Sequence, residues 1–135
     1  MKRLRLGMVG GGQGAFIGGV HRFAARLDGR WDLVAGALSS DPARASASAV
    51  DLGLDPARSH TDFATMAQAE AAREDGIDAV AIVTPNHVHA APAIAFLDAG
   101  IHVICDKPLA GTEEDAQAIA AAVHRSGKHF ILTHN

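Results

Sequence analysis

The 135 residues predict an α/β fold, a doubly wound parallel sheet of strand order 3-2-1-4-5-6. Three observations carry this reading. Strand-like and helix-like patterns alternate along the whole chain, with no repeat or linker. One segment, Ala79-Val80-Ala81-Ile82-Val83, is apolar on both faces, as a strand in the middle of a parallel sheet must be. The opening strand, Leu4-Arg5-Leu6-Gly7-Met8-Val9, runs straight into a glycine turn, Gly10-Gly11-Gly12-Gln13-Gly14-Ala15, and then into a helical pattern.

That first unit has the order a phosphate-binding turn needs. A strand delivers the chain to a tight bend, glycines let the backbone approach a pyrophosphate, and the next helix aims free N–H groups at the anion. Gly10, Gly12 and Ala15 fill the G-x-G-x-x-A form; Gln13, Gly14 and Phe16 complete the candidate contacts. Phe16, Ile17, Val20, Ala24 and Leu27 recur at helical spacing.

Trp31 to Leu38 reads as the second strand. Asp41-Pro42 then opens a helix, Asp as N-cap and Pro in the first position, with Ala43, Ala47 and Val50 expected on its inner face. Arg58-Ser59-His60 is expected as a short third strand, before a helix from Thr61 to Ala72 with Phe63, Met66 and Ala67 inward. The segment 79–83 is the fourth strand. A helix follows His87 as far as Ala99 and is closed by Gly100, with Pro92 near its first turn. Ile101 to Cys105 is the fifth strand. Thr112-Glu113-Glu114-Asp115 resembles a capping box, the helix it opens ends at Gly127, and His129 to Thr133 is the sixth strand.

Composition narrows the class. The chain has the length of one domain, 48% apolar and 20% charged residues, and a net charge of −3, as in an ordinary soluble globular protein. No basic run or excess supports a nucleic-acid partner. Nothing approaches the run of about twenty apolar residues that a membrane span needs. A single cysteine, Cys105, excludes an internal disulfide and suits a cytoplasmic location.

In such a sheet, ligands bind at the carboxyl ends of the strands. The fourth strand ends in Thr84-Pro85-Asn86-His87-Val88-His89, the fifth in Asp106-Lys107-Pro108-Leu109 and the sixth in His134-Asn135, so titratable and amide side chains are expected beside the glycine turn. At the end of the second strand, where an acid usually holds the ribose hydroxyls of NAD, stand Ser39 and Ser40. With no acid there, a 2′-phosphate would not be repelled, and Arg44 in the following helix turn could reach one, a slight preference for NADP over NAD.

With the glycine turn, T-P-N-x-x-H at Thr84 to His89 and D-K-P at Asp106 to Pro108, the whole chain resembles the N-terminal domain of the Gfo/Idh/MocA oxidoreductases. The resemblance implies a nicotinamide cofactor and hydride transfer at a hydroxyl or carbonyl of a sugar, cyclitol or related polyol. It places Thr84, Pro85, Asn86 and His89 along the cofactor, and Lys107, the candidate catalytic residue, beside the nicotinamide and the reacting oxygen. A lysine ammonium there can stabilise the negative charge that develops on that oxygen. Asp106 departs from the glutamate more usual in the family, which shortens a carboxylate expected to orient Lys107. The family's second, substrate-holding domain has no counterpart in residues 1–135, so this chain is expected to bind cofactor yet turn over slowly or not at all. The apolar surface such a domain would cover makes a homo-oligomer or a separate substrate-domain partner possible.

The remaining side chains carry less. His87 and His89 are too few and wrongly spaced for a metal site, and no metal is expected. Cys105 reads as a small buried apolar residue. Asp51, Asp55, Glu70, Glu74 and Asp75 read as solvated surface. Two other classes fit the same turn: a non-catalytic module sensing nucleotide or redox state, which gives the Asp106-Lys107-Pro108 turn no work, and a methyltransferase, which lacks its seventh strand and reversed hairpin here.

Overall fold

The computed structural model describes residues 2–134. Five strands form one parallel sheet: β1 (Leu4–Val9), β2 (Trp31–Ala37), β3 (Ala79–Ile82), β4 (His102–Cys105) and β5 (Phe130–Leu132), in the order β2-β1-β3-β4-β5. Five helices connect them: α1 (Phe16–Arg26), α2 (Pro42–Asp51), α3 (Phe63–Ala71), α4 (Ala90–Asp98) and α5 (Glu113–Ser126). Among the described residues no helix is long and apolar enough to cross a membrane.

The order 3-2-1-4-5-6 is therefore corrected to 2-1-3-4-5, because the expected third strand does not form. Asp55 caps a single 3-10 turn at Pro56–Arg58, and only one bridge, Gly36 to Ser59, pairs the segment with β2. Arg58 explains the failure. Its side chain turns inward, Nε donating to Glu70 Oε2 at 3.1 Å and Nη2 to the other carboxylate oxygen and to the Asp75 carbonyl at 3.2 Å. Glu70 is thus no surface acid: it is 2% exposed and also accepts from the Ile77 backbone N–H.

The helices form where local chemistry favours them. Asp41 Oδ2 accepts from the Arg44 N–H at 3.3 Å with Pro42 in the first turn, and Asp62 Oδ1 accepts from Ala64 N–H at 2.7 Å. Thr112 Oγ1 caps α5, three acids fill its first turn and Gly127 closes it at φ 68°.

Successive strand residues face opposite layers, which splits the core in two. Val80, Ile82, Val103 and Cys105 pack under α3, α4 and α5, with Phe96 and Leu97 at the centre. Leu6, Met8, Ala79, Ala81 and Val83 pack under α1 and α2. The second layer stops short of the sheet edge. Ile131 on β5 is 54% exposed, and α1 leaves Phe16 at 84% and Phe23 at 63%, with Leu27 just past its end at 71%.

That exposure corrects the expected inner faces of both helices. A Cβ on Gly18 would come within 2.5 Å of the Gly11 Cα, so Gly18 must face the turn. At about 100° per residue this sends Phe16, Val20, Ala24 and Leu27 outward and Ile17, His21 and Ala25 inward. In α2 the inner residues are Ala45, Ser48 and Ala49, while Val50 is 73% exposed. Ser48 is drawn in by a hydrogen bond from the Gln13 N–H to its Oγ at 2.9 Å.

Candidate active site at the strand ends

The glycine turn is built by backbone contacts that leave little room for side chains. Gly10 N–H donates to the Ala37 carbonyl at 2.9 Å, Gly12 N–H to the Leu38 carbonyl at 3.0 Å, and Ala15 N–H to the Gly12 carbonyl at 3.0 Å. Gly10, Gly11 and Gly14 have φ between 76° and 83°, a region that L side chains rarely adopt. A Cβ on Gly12 would stand 2.7 Å from the Leu38 carbonyl oxygen. Behind this turn α1 begins at an N-cap, Ala15, with no side-chain cap and no acid in the first turn. Its first N–H groups and the positive end of its dipole are available to an anion.

The turn opens onto a cleft of about 560 Å³ at the carboxyl ends of β1, β2 and β3. Gly10, Ala15, Ser39, Ser40, Thr84 and Pro85 line it, so these sequence-selected residues do come together, joined by Gly11. Gly12, Gln13 and Gly14 border a smaller recess on the α2 side, where Gln13 Nε2 donates to Asp51 Oδ2 at 2.7 Å. Asp62, at the start of α3, also lines the cleft and had no part in the expected site. Hydrogen bonds from Thr65 and from the Ala64 N–H hold its carboxyl below the usual range, so it stays ionised at neutral pH.

Ser39 is partly committed, its Oγ accepting from the Asp41 N–H at 3.1 Å. Arg44 is exposed in the first turn of α2 and does not line the cleft. Phe16 is exposed at the start of α1, also outside the cleft.

Beyond Pro85, Asn86 lies exposed in a 3-10 turn over Asn86–Val88. His89 is 1% exposed, and its ring spans two loops, Nε2 lying 2.8 Å from the Thr84 carbonyl and Nδ1 2.9 Å from the Pro108 carbonyl. It ties the turn after β3 to the turn after β4. Lys107 is exposed in that second turn, next to buried Asp106. Asn135 lies outside the described residues.

Besides Asp62, three residues that sequence reasoning missed shape this region. Gly18 lets α1 approach the glycine turn, Ser48 buttresses it, and His21 lies 3.1 Å from Asp106. Only Gly18 left a signal, since a glycine pair inside a helix pattern marks a close approach.

Cys105, 0% exposed at the end of β4, has its thiol pushed up to about 12, first by burial and then by the Asp106 carboxylate. A raised thiol pKa leaves almost no thiolate near pH 8. Native protein is therefore expected to resist a disulfide reagent such as DTNB at pH 8 for hours. Reaction should be complete within minutes in denaturant; rapid labelling without denaturant contradicts the burial.

Comparison with known proteins fits this geometry. A family model described as oxidoreductase family, NAD-binding Rossmann fold, matches residues 4–134. The chain is 43% identical over 134 residues to "Uncharacterized oxidoreductase YfiI" of Bacillus subtilis (strain 168), covering 98% of this chain and 34% of that protein. An oxidoreductase structure from Sinorhizobium meliloti matches with TM-score 0.95 and 61% identity over 98% of this chain and 37% of its own. An inositol dehydrogenase homologue from Azotobacter vinelandii, solved with NADH and myo-inositol, matches with TM-score 0.93 and 42% identity over 98% and 35%. The chain thus spans about a third of the length of these relatives.

Proposed function

The chain belongs to the Gfo/Idh/MocA oxidoreductases as their NAD-binding Rossmann domain, and from that premise we propose that residues 1–135 hold the dinucleotide for hydride transfer at a polyol or sugar hydroxyl. The observation that carries the reading is the uncapped N-terminus of α1 behind a turn whose Gly10, Gly11 and Gly12 leave no room for a side chain, facing the cleft at the strand ends.

The residues suit the parts of such a cofactor. The turn from Gly10 to Ala15 and the first N–H groups of α1 would hold the pyrophosphate. Ser39 and Ser40 would meet the adenine ribose, with Thr84, Pro85, Asn86 and Lys107 toward the nicotinamide. His89 would act at one remove, by fixing the two loops that carry them. When bound, the nicotinamide supplies or accepts the hydride. Lys107 would place a positive charge beside the substrate oxygen and favour the charge that grows there. Its exposure on this chain leaves water at the reacting centre, so binding without appreciable turnover is the expected behaviour of residues 1–135 alone.

The finer choice of cofactor turns on the charges near the ribose end of the cleft. Ser39, with no acid at its position, favours a slight preference for NADP that Arg44, outside the cleft, would have to reach in to support, and ionised Asp62 in the cleft limits it. Ser39→Asp adds a second carboxylate at the ribose end. Titration calorimetry with NADH and NADPH is expected to show the NADPH:NADH affinity ratio falling about tenfold, the scale of one like-charge contact. An unchanged ratio would mean that the ribose does not lie at Ser39. Absence of any nicotinamide binding to the parent chain would overturn the cofactor reading itself.

A further inference from the structure

Lys107 carries no ion pair among the described residues and its side chain reaches into solvent, yet each of its two neighbours meets a histidine, Asp106 through its carboxylate and Pro108 through its carbonyl. On the far side, His89 Nδ1 lies 2.9 Å from the Pro108 carbonyl. On the near side, His21 Nε2 lies 3.1 Å from Asp106 Oδ1, with the two side chains only 10% and 12% exposed. The Thr133 hydroxyl lies 3.3 Å from the same carboxylate oxygen, and the Asp106 N–H donates to the Ile82 carbonyl at 3.0 Å. Asp106 is thus fixed to β3 through its backbone, and to α1 and the end of β5 through its side chain.

We propose that His21 is a positioning residue: through Asp106 it sets where the Lys107 turn stands relative to α1, the helix whose N-terminus faces the pyrophosphate site. The inference rests on the cofactor reading above. A carboxylate this little exposed needs donors, and among the described residues His21 supplies its only ring or amide N–H. His21 is also one helical turn along from Ile17, so the two ends of the bound dinucleotide are held to one rigid element. Nothing else joins α1 directly to the Lys107 turn among the hydrogen bonds of the described residues.

The test compares NADH with ADP-ribose, which lacks the nicotinamide, on the 135-residue chain and on His21→Leu, His21→Gln, Lys107→Ala and the His21→Leu/Lys107→Ala pair. His21→Leu is expected to weaken NADH about tenfold, the scale of one hydrogen bond to a charged group, and to lower the emission of bound NADH, with ADP-ribose affinity unchanged. His21→Gln keeps a side-chain N–H and should recover most of the loss. The pair should cost no more than Lys107→Ala alone, because His21 acts through Lys107.

Additive losses in the pair, or equal weakening of both ligands, would overturn the positioning role while leaving the cofactor reading intact. Retained ADP-ribose binding certifies the fold. Should His21→Leu not fold, Asp106→Asn paired with Lys107→Ala gives the same comparison. A parent chain that binds ADP-ribose but not NADH would instead bring down the nicotinamide assignment, and this proposal with it.

Discussion

Gly12→Val is expected to weaken NADH binding about 5- to 150-fold while leaving the chain folded. The reason lies in what stands next to Gly12. A Cβ there would be 2.7 Å from the Leu38 carbonyl oxygen and 2.9 Å from Ser48 Oγ. Neither can step aside, because the first accepts from the Gly12 N–H and the second from the Gln13 N–H. The turn must move instead, giving up those bonds and its alignment with α1. Overpacking of this kind costs about 1–3 kcal/mol, and the same sum charged to binding is about a 5- to 150-fold loss. Gly14→Ala is the informative contrast. Its Cβ would meet nothing within 4 Å, although φ is 83°, so only backbone strain of about 1–2 kcal/mol applies. Calorimetry should rank Gly12→Val well below Gly14→Ala, with thermal melting as the control for folding. Equal losses would locate the effect in turn conformation and not in contact with Leu38 and Ser48.

The largest effect on stability is expected from Glu70→Leu. It leaves the Arg58 guanidinium, whose side chain is 8% exposed, with only the long contact to the exposed Asp75 carboxylate at 3.8 Å, and strips the Ile77 N–H of its acceptor. Breaking a buried pair from one side costs about 3–5 kcal/mol, a large fraction of the total stability of a domain. Urea denaturation should show that drop. The double change Arg58→Met/Glu70→Leu should recover most of it, since replacing both partners removes the stranded charge. A single variant as stable as the parent would mean that water reaches Arg58.

Much of the architecture could be read directly from the residues. β1 to β5 fall where the first, second, fourth, fifth and sixth strands were expected, and Asp41, Thr112, Gly100 and Gly127 serve as helix signals as their chemistry suggests. These features are local, fixed by residues a few positions apart. What escaped depends on distant contacts. Helix α1 is turned by Gly18 against Gly11, α2 by Ser48 reaching Gln13 across 35 positions, and His21 meets Asp106 across 85. Periodicity shows that a helix has an apolar side, but it does not show which side a close backbone approach will turn inward. The lost third strand has the same origin: Arg58 finds Glu70 through folding, and no pattern in 58–60 announces it. The site divides likewise. The cleft-lining residues announced themselves through glycines and strand ends, whereas Asp62 enters only because α3 starts beside β2 in space.

The uncovered side chains on α1 and β5 bear on how this chain responds to temperature. Phe16, Phe23, Leu27 and Ile131 already meet water in the native state, so unfolding hydrates less new apolar surface than a fully covered sheet would. The heat-capacity increment should therefore fall below the usual figure of about 12–15 cal/mol/K per residue. A smaller increment broadens the stability dome and pushes cold denaturation further below freezing. Any body that covers α1 and β5 would sharpen the curve.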